Sequence, residues 1–85
     1  METTEYFDNV VPRKHPDIQL EWIARILNHP VKQETQADGR IVYWGNVPEK
    51  EGRALRVITL EDGKTVHNAF FDRNFYRRQR RGEEP

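Results

Sequence analysis

The sequence predicts an α+β domain in which one principal helix packs across a four-stranded antiparallel β-meander. The first observation is a pair of Asp-Gly steps, at residues 38–39 and 62–63. The runs at 40–47, 53–60 and 64–71 that flank them are rich in β-branched, aliphatic and aromatic residues, whereas the run at 31–36 is polar. Asp-Gly favours hairpin turns because glycine adopts a positive φ without steric cost. The second observation is a run of apolar residues at helical spacing over residues 15–29. Together these observations predict one helix followed by two hairpins.

The helix is predicted over residues 15–29. Pro16 suits a first helical position, where its missing N–H would be unbonded in any case. Pro30 ends the helix because the residue before a proline disfavours the α region. We interpret Trp22 as a core anchor, because aromatic residues at helical spacing usually fill cores. The apolar face of the helix is formed by Ile18, Trp22, Ile23, Ile26 and Leu27.

Four strands are predicted, at residues 31–36, 40–47, 53–60 and 64–71. The first is polar, which places it at an edge of the sheet. Gly45 lies inside the second strand and predicts either a β-bulge or a close backbone approach.

The pairing of the last two strands assigns their residues to faces. With residues 62–63 as the loop, Leu60 faces Thr65 and the register continues without interruption. One face then carries Leu55, Val57, Thr59, Val66, Asn68 and Phe70, and the other carries Arg56, Ile58, Leu60, Thr65, His67, Ala69 and Phe71. The predicted single core comprises Trp22, Ile23, Ile26, Leu55, Val57, Val66 and Phe70.

The chain is predicted to form a single domain over residues 1–85, because its length suits one core. Residues 15–73 form the predicted core region, between an N-terminal arm (1–14) and a basic C-terminal tail (74–85). The arm is predicted as a short strand or an irregular segment whose first four residues are loose. In the tail, residues 75–76 are predicted to tether a short helical turn to the sheet.

Composition narrows the functional classes. The chain has no cysteine and three widely separated histidines, so no metal site and no cofactor is predicted. No apolar run reaches a membrane-spanning length, which favours a cytoplasmic protein without a membrane partner. Positive and negative charges balance over the whole chain, but residues 73–81 hold five arginines and no acid. A nucleic-acid partner would therefore meet a local basic patch.

The candidate catalytic residues are His67, Arg56 and Arg73. The predicted register places them on one sheet face, where the arginines would clamp a phosphate while the imidazole exchanges a proton. The alternative is that His67 is a structural hydrogen-bonding residue.

A second set of residues is predicted to bind nucleic acid. Arg40 and Trp44 combine a cation with an aromatic ring, which suits unpaired bases. The alternative, which we favour for Trp44, is a place in the core. The tail supplies the other members, Arg77, Arg78, Arg80 and Arg81, either as a nucleic-acid contact or as a solubilising end.

Three stretches resemble a group of small bacterial domains of unknown function: DGR at 38–40, GRALRVIT at 52–59 and TVHNAFFDR at 65–73. That group is in turn similar to the BrnT and RelE/ParE-like toxin superfamily, through a helix packed on a four-stranded sheet and through Arg56. The resemblance implies metal-independent RNA cleavage by attack of the ribose 2′-hydroxyl, with basic side chains positioning the phosphate. It also implies an antitoxin-like protein partner. ParE-like members share the fold but act on a topoisomerase, so the fold alone does not choose between activities.

Two functional hypotheses follow from the sequence. The first is a RelE/BrnT-like metal-independent ribonuclease, or a degenerate relative of one, with RNA as its ligand. The second is a non-catalytic protein-interaction module that uses the open sheet face or the polar edge strand at residues 31–36.

Overall fold

A computed structural model describes residues 1–80, which form three layers with helices on both faces of an antiparallel sheet. The strand order is β1-β2-β3-β4, as a meander requires. The predicted α+β class and four-stranded meander are confirmed, and the described residues contain three α-helices where one principal helix was predicted. In chain order the elements are α1 (Glu5–Lys14), α2 (Leu20–Asn28), β1 (Lys32–Thr35), β2 (Ile41–Val47), a 3-10 turn (Pro48–Lys50), β3 (Arg53–Thr59), β4 (Val66–Phe71) and α3 (Phe75–Arg80).

Helix α1 forms where a short strand or an irregular arm was predicted. Thr4 caps it by accepting a hydrogen bond from the Phe7 N–H at 3.1 Å. Phe7 and Val11, one helical turn apart, are both buried in the core. The prediction of loose initial residues is also wrong, because the Thr4 N–H donates to the Val66 carbonyl at 3.0 Å and the Val66 N–H donates to the Glu2 carbonyl at 2.9 Å. The N-terminus therefore lies along the outer edge of β4.

Helix α2 begins at Leu20, five residues later than predicted. Pro16 lies in the preceding turn, where the Ile18 N–H donates to the His15 carbonyl at 3.1 Å. The helix ends at Asn28, as the proline at position 30 predicts. Its apolar face is the predicted one, with Trp22, Ile23 and Ile26 buried. Among residues 1–80, no helix combines the length and the apolar character needed to cross a membrane.

The β1–β2 hairpin closes over residues 37–39. The Gln36 N–H donates to the Arg40 carbonyl at 2.7 Å, and Gly39 takes a φ of 90°, which only glycine adopts at low cost. β1 is an edge strand, as predicted. On β2, the close approach predicted at Gly45 is confirmed, because a Cβ atom there would lie 2.6 Å from Cγ1 of Ile26.

The β3–β4 hairpin contains a bulge that the predicted register lacks. Leu60 and Thr65 pair as predicted, with the Leu60 N–H donating to the Thr65 carbonyl at 2.9 Å. Thr59 then pairs with Val66, but Ile58 pairs with Asn68, so His67 is an extra residue on β4. Every later residue of β4 therefore changes face, and the predicted register is wrong beyond Val66.

The main core lies between the sheet and the two N-terminal helices. It contains six of the seven predicted residues, but Ala69 takes the place of Phe70 because of the bulge. Asn68, predicted on the core face, lies on the opposite face beside Ile58. That face carries a second cluster that α3 covers, which confirms the predicted helical tether. The second cluster consists of Val42, Trp44, Ala54 and Phe75.

Candidate functional site

A groove of about 580 Å³ lies where the start of β3, the end of β4 and α3 meet. Arg53, Arg73 and Arg77 line it together with Phe71 and Tyr76 and with the acidic residues Glu51 and Asp72. The antiparallel register explains this convergence, since Leu55 pairs with Phe71 and the same spacing continued outward brings Arg53 level with Arg73. Three cationic side chains from separate parts of the chain therefore share one concave surface.

The turn from β4 into α3 is fixed by Asp72. Its carboxylate accepts hydrogen bonds from Nε1 of Trp44 at 3.0 Å and from the Asn74 N–H at 3.1 Å. Its own N–H donates to the Ala54 carbonyl at 2.9 Å. With only 9% of its side chain exposed, Asp72 is an internal anchor. It holds the backbone that carries Arg73 on one side and α3 on the other.

Arg56 lies beside Asp72, one of the residues that line this groove. Its guanidinium carbon is 5.3 Å from the centroid of the Trp44 ring and 5.6 Å from that of Phe70. Its Nη1 is 3.9 Å from Oδ2 of Asp72, and 26% of its side chain is exposed. Arg56 therefore offsets the charge of Asp72 in a half-buried setting. The other charged residues that line the groove are the three arginines and Glu51.

Arg53 is exposed, as are Arg73 and Arg77. The Arg53 side chain is 62% exposed, and its nearest carboxylate partner is Glu51 at 4.0 Å, itself 87% exposed. Exposed ion pairs of this kind contribute about 0–1 kcal/mol to stability, so this one holds Arg53 only weakly. A phosphate entering the groove can replace Glu51 as its partner.

Trp44 is not an exposed platform. Its ring is buried and stacks on Phe75 with a centroid distance of 5.4 Å. The favoured interpretation, a core residue, is confirmed. Its part in the site is indirect, through the hydrogen bond to Asp72.

His67 occupies a different place, at the bulge on β4. Its Nδ1 lies 3.1 Å from Oγ1 of Thr4, and its ring stacks on Tyr6 with a centroid distance of 4.8 Å. Burial lowers the pKa of His67, and the charge of Arg40 lowers it further, so both favour the neutral form of the ring. A neutral ring that carries its proton on Nε2 accepts a hydrogen bond from the Thr4 hydroxyl, and so joins β4 to the cap of α1.

The predicted catalytic residues therefore fall into separate surroundings. Four strand residues at about 3.3 Å each place His67 about 13 Å from Phe71, where the groove begins. Arg56 lies 3.9 Å from Asp72 and Arg73 lines the groove, whereas His67 lies against Tyr6. Within residues 1–77, no hydrogen bond or ring contact joins His67 to either arginine. Of the predicted nucleic-acid residues, Arg77 lines the groove and Arg40 lies toward His67.

Arg53 is the groove residue that sequence reasoning missed. The signal was present, because a meander puts the first residue of β3 beside the residues that follow β4. The predicted contributions of Arg78, Arg80 and Arg81 fall outside the residues and side chains that the structure describes.

Comparisons with protein-family models, with curated proteins and with solved structures gave no match to this chain.

Proposed function

We propose that this chain binds RNA through its phosphate backbone, as a degenerate, non-cleaving relative of the RelE/BrnT-like ribonucleases. The observation that carries the proposal is the convergence of Arg53, Arg73 and Arg77 on one groove. A guanidinium presents a planar fork of donors that matches two phosphate oxygens, and it stays charged at any physiological pH.

The aromatic lining of the groove supports a ligand that also carries bases. Phe71 and Tyr76, both partly buried, line the groove beside the three arginines, and Phe71 also packs against the main core. Unpaired nucleic acid is typically held by such a combination of stacking surface and positive charge. A small inorganic anion would use the arginines and leave the rings without a role.

The position of His67 supports binding without cleavage. A general base must lie within hydrogen-bond reach of the proton that it removes. A phosphodiester held at Arg73 is too far from an imidazole that is stacked on Tyr6 and bonded to Thr4. Among the described residues, the groove therefore has no imidazole that could accept the ribose 2′-hydroxyl proton in the cleavage that the resemblance implies.

RNA binding is tested by fluorescence anisotropy with a labelled, mixed-sequence single-stranded RNA over a series of salt concentrations. Each phosphate contact on a single strand contributes about −0.7 to the slope of log K against log[salt], so three contacts give about −2. Replacing Arg53, Arg73 or Arg77 singly with Gln should reduce the slope by about 0.7 each. Arg13→Gln, which removes an exposed charge from α1, is the matched control and should leave binding unchanged.

Cleavage is tested separately, by incubating the same RNA with wild type and with His67→Ala in the presence of a chelator. Intact RNA in both samples is expected. Cleavage that disappears in His67→Ala would contradict the non-cleaving form and restore the ribonuclease hypothesis. If RNA does not bind even at low salt, the proposal fails and the protein-interaction module, with an antitoxin-like or other protein partner, takes its place.

A further inference from the structure

The outer edge of β1 faces away from the rest of the described chain. β1 lies at the end of the strand order, and Gln33, Glu34 and Thr35 are exposed. Val31, just before the strand, is 51% exposed although it is apolar. A strand edge of this kind is a template for pairing with another strand.

The hydrogen bonds of the β1–β2 pair show which backbone groups point outward. The Gln36 N–H donates to the Arg40 carbonyl at 2.7 Å, so position 36 bonds toward β2. Hydrogen-bonded positions alternate along an antiparallel pair, so positions 34 and 32 also bond toward β2. Gln33 and Thr35 therefore direct their backbone N–H and C=O groups away from β2.

Two antiparallel registers would pair the outward groups of Gln33 with those of a β1 residue in a second copy of the chain. In one, Gln33 lies opposite Thr35 of the second copy, which puts the two Glu34 carboxylates face to face. In the other, Gln33 lies opposite Gln33 of the second copy, which puts Lys32 opposite Glu34 at both ends. Like charges directly opposite destabilise a strand pair, whereas opposite charges stabilise it. The charges of β1 thus select the second register.

We infer that two copies of this chain pair through β1 in that register and form one continuous eight-stranded sheet. The central Gln33 pair exchanges two backbone hydrogen bonds. Lys32 and Glu34 of the second copy then occupy a non-hydrogen-bonded position, where facing side chains approach most closely. Within one chain, Nζ of Lys32 already lies 3.4 Å from Oε2 of Glu34, so both side chains are on the same face of β1.

A second copy suits this edge better than an unrelated strand because the pattern is self-complementary. When the segment Lys-Gln-Glu at 32–34 pairs antiparallel with the same segment of a second copy, each lysine lies opposite a glutamate. The RNA groove lies on β3, β4 and α3, at least two strand spacings or about 10 Å away from β1. Pairing through β1 therefore leaves both grooves open.

The test is the mass of the protein in solution, measured by light scattering and sedimentation over a wide range of concentration. Wild type should show a concentration-dependent dimer. Gln33→Pro removes an outward N–H without removing a bond to β2, and proline is tolerated on edge strands. It should abolish the dimer while circular dichroism and the thermal midpoint stay close to wild type.

The charge pattern is tested with Glu34→Lys, which should raise the dimer dissociation constant about tenfold because two attractive pairs become repulsive. Glu5→Lys makes the same charge change on α1, beside the opposite edge of the sheet, and should have no effect on association.

A monomer at every concentration would overturn the inference. So would a dimer that tolerates both Gln33→Pro and Glu34→Lys, because its interface would then lie elsewhere. The RNA titration, repeated with Gln33→Pro, separates this inference from the proposed function. Salt-dependent binding by a monomeric variant supports both the groove and the β1 edge as independent surfaces.

Discussion

Gly45→Ala is the most direct probe of how α2 is seated on the sheet. Gly45 lies in the middle of β2, on the face that α2 covers. A Cβ atom at this position would lie 2.6 Å from Cγ1, 3.1 Å from Cγ2 and 3.2 Å from Cβ of Ile26. The first distance is too short for two carbon atoms, so the helix or the strand must move to admit a single methyl group.

Two effects of this substitution have opposite signs. Alanine restricts the unfolded chain more than glycine, which in a strand favours the folded state by about 0.5–1 kcal/mol. Overpacking a tight core costs about 1–3 kcal/mol. The clash involves the buried stem of Ile26, which is itself only 2% exposed and has no room to turn away. We therefore expect a net loss of about 1–2 kcal/mol, or roughly 4–16 °C in the thermal midpoint of so small a domain.

A double-mutant cycle with Ile26→Ala isolates the contact. Ile26→Ala alone should cost about 2–5 kcal/mol, because it leaves a cavity in the core. In the combined variant the new methyl enters the space that Ile26 vacates, so the loss should be smaller than the sum of the two single losses. Urea denaturation of the four proteins measures this. Strict additivity, or a Gly45→Ala variant more stable than wild type, would refute the close seating of α2 on Gly45.

Three further predictions concern titration and the groove anchor. Asp62 accepts hydrogen bonds from the Thr65 hydroxyl and from the Thr65 and Lys64 N–H groups, which lower its pKa from 3.8 to about 2. The stability that it contributes is therefore complete above pH 3.8 and is lost as the pH falls toward 2, and urea denaturation across that window should show a flatter profile for Asp62→Asn. Since burial lowers the pKa of His67 below 6.5, the unfolded chain takes up that proton first and stability falls as the pH drops below 6.5, a dependence that should be absent in His67→Asn. Asp72→Ala leaves Nε1 of Trp44 without its acceptor and Arg56 without its counter-charge, so a denaturation curve should show a loss of about 1–3 kcal/mol, and an unchanged curve would contradict the anchoring role.

Elements that depend on local chemistry could be predicted from the sequence. The Asp-Gly steps gave both hairpins, because positive φ at a turn is a local requirement that glycine meets. Two patterns predicted most of the main core. They are the alternation of apolar residues along β3 and the helical spacing of Trp22, Ile23 and Ile26. The close approach at Gly45 was also predictable, since glycine inside a strand has few other reasons to be there.

Helix α1 could not be predicted in the same way. Its buried stripe is only two residues, Phe7 and Val11, and it contains Pro12, which counts against a helix in any propensity argument. What stabilises it is the Thr4 cap and the docking of the initial residues on β4. The second of these is a long-range contact, which a local pattern does not reveal.

The bulge at His67 determines which residues of β4 face the groove as well as which face the main core. Without the extra residue, alternation along β4 would turn Phe70 and Asp72 toward the N-terminal helices, away from Arg56 and Trp44. With it, Phe70 faces the Arg56 guanidinium, and Asp72 accepts the Trp44 N–H and begins the turn that brings Arg73 and Arg77 to the groove. His67 therefore matters to the proposed RNA surface through the register that its insertion imposes. The extra residue on β4 places the His67 imidazole at the bulge, away from the groove. The same shift in register orients Asp72 so that the turn after it brings Arg73 and Arg77 to the groove.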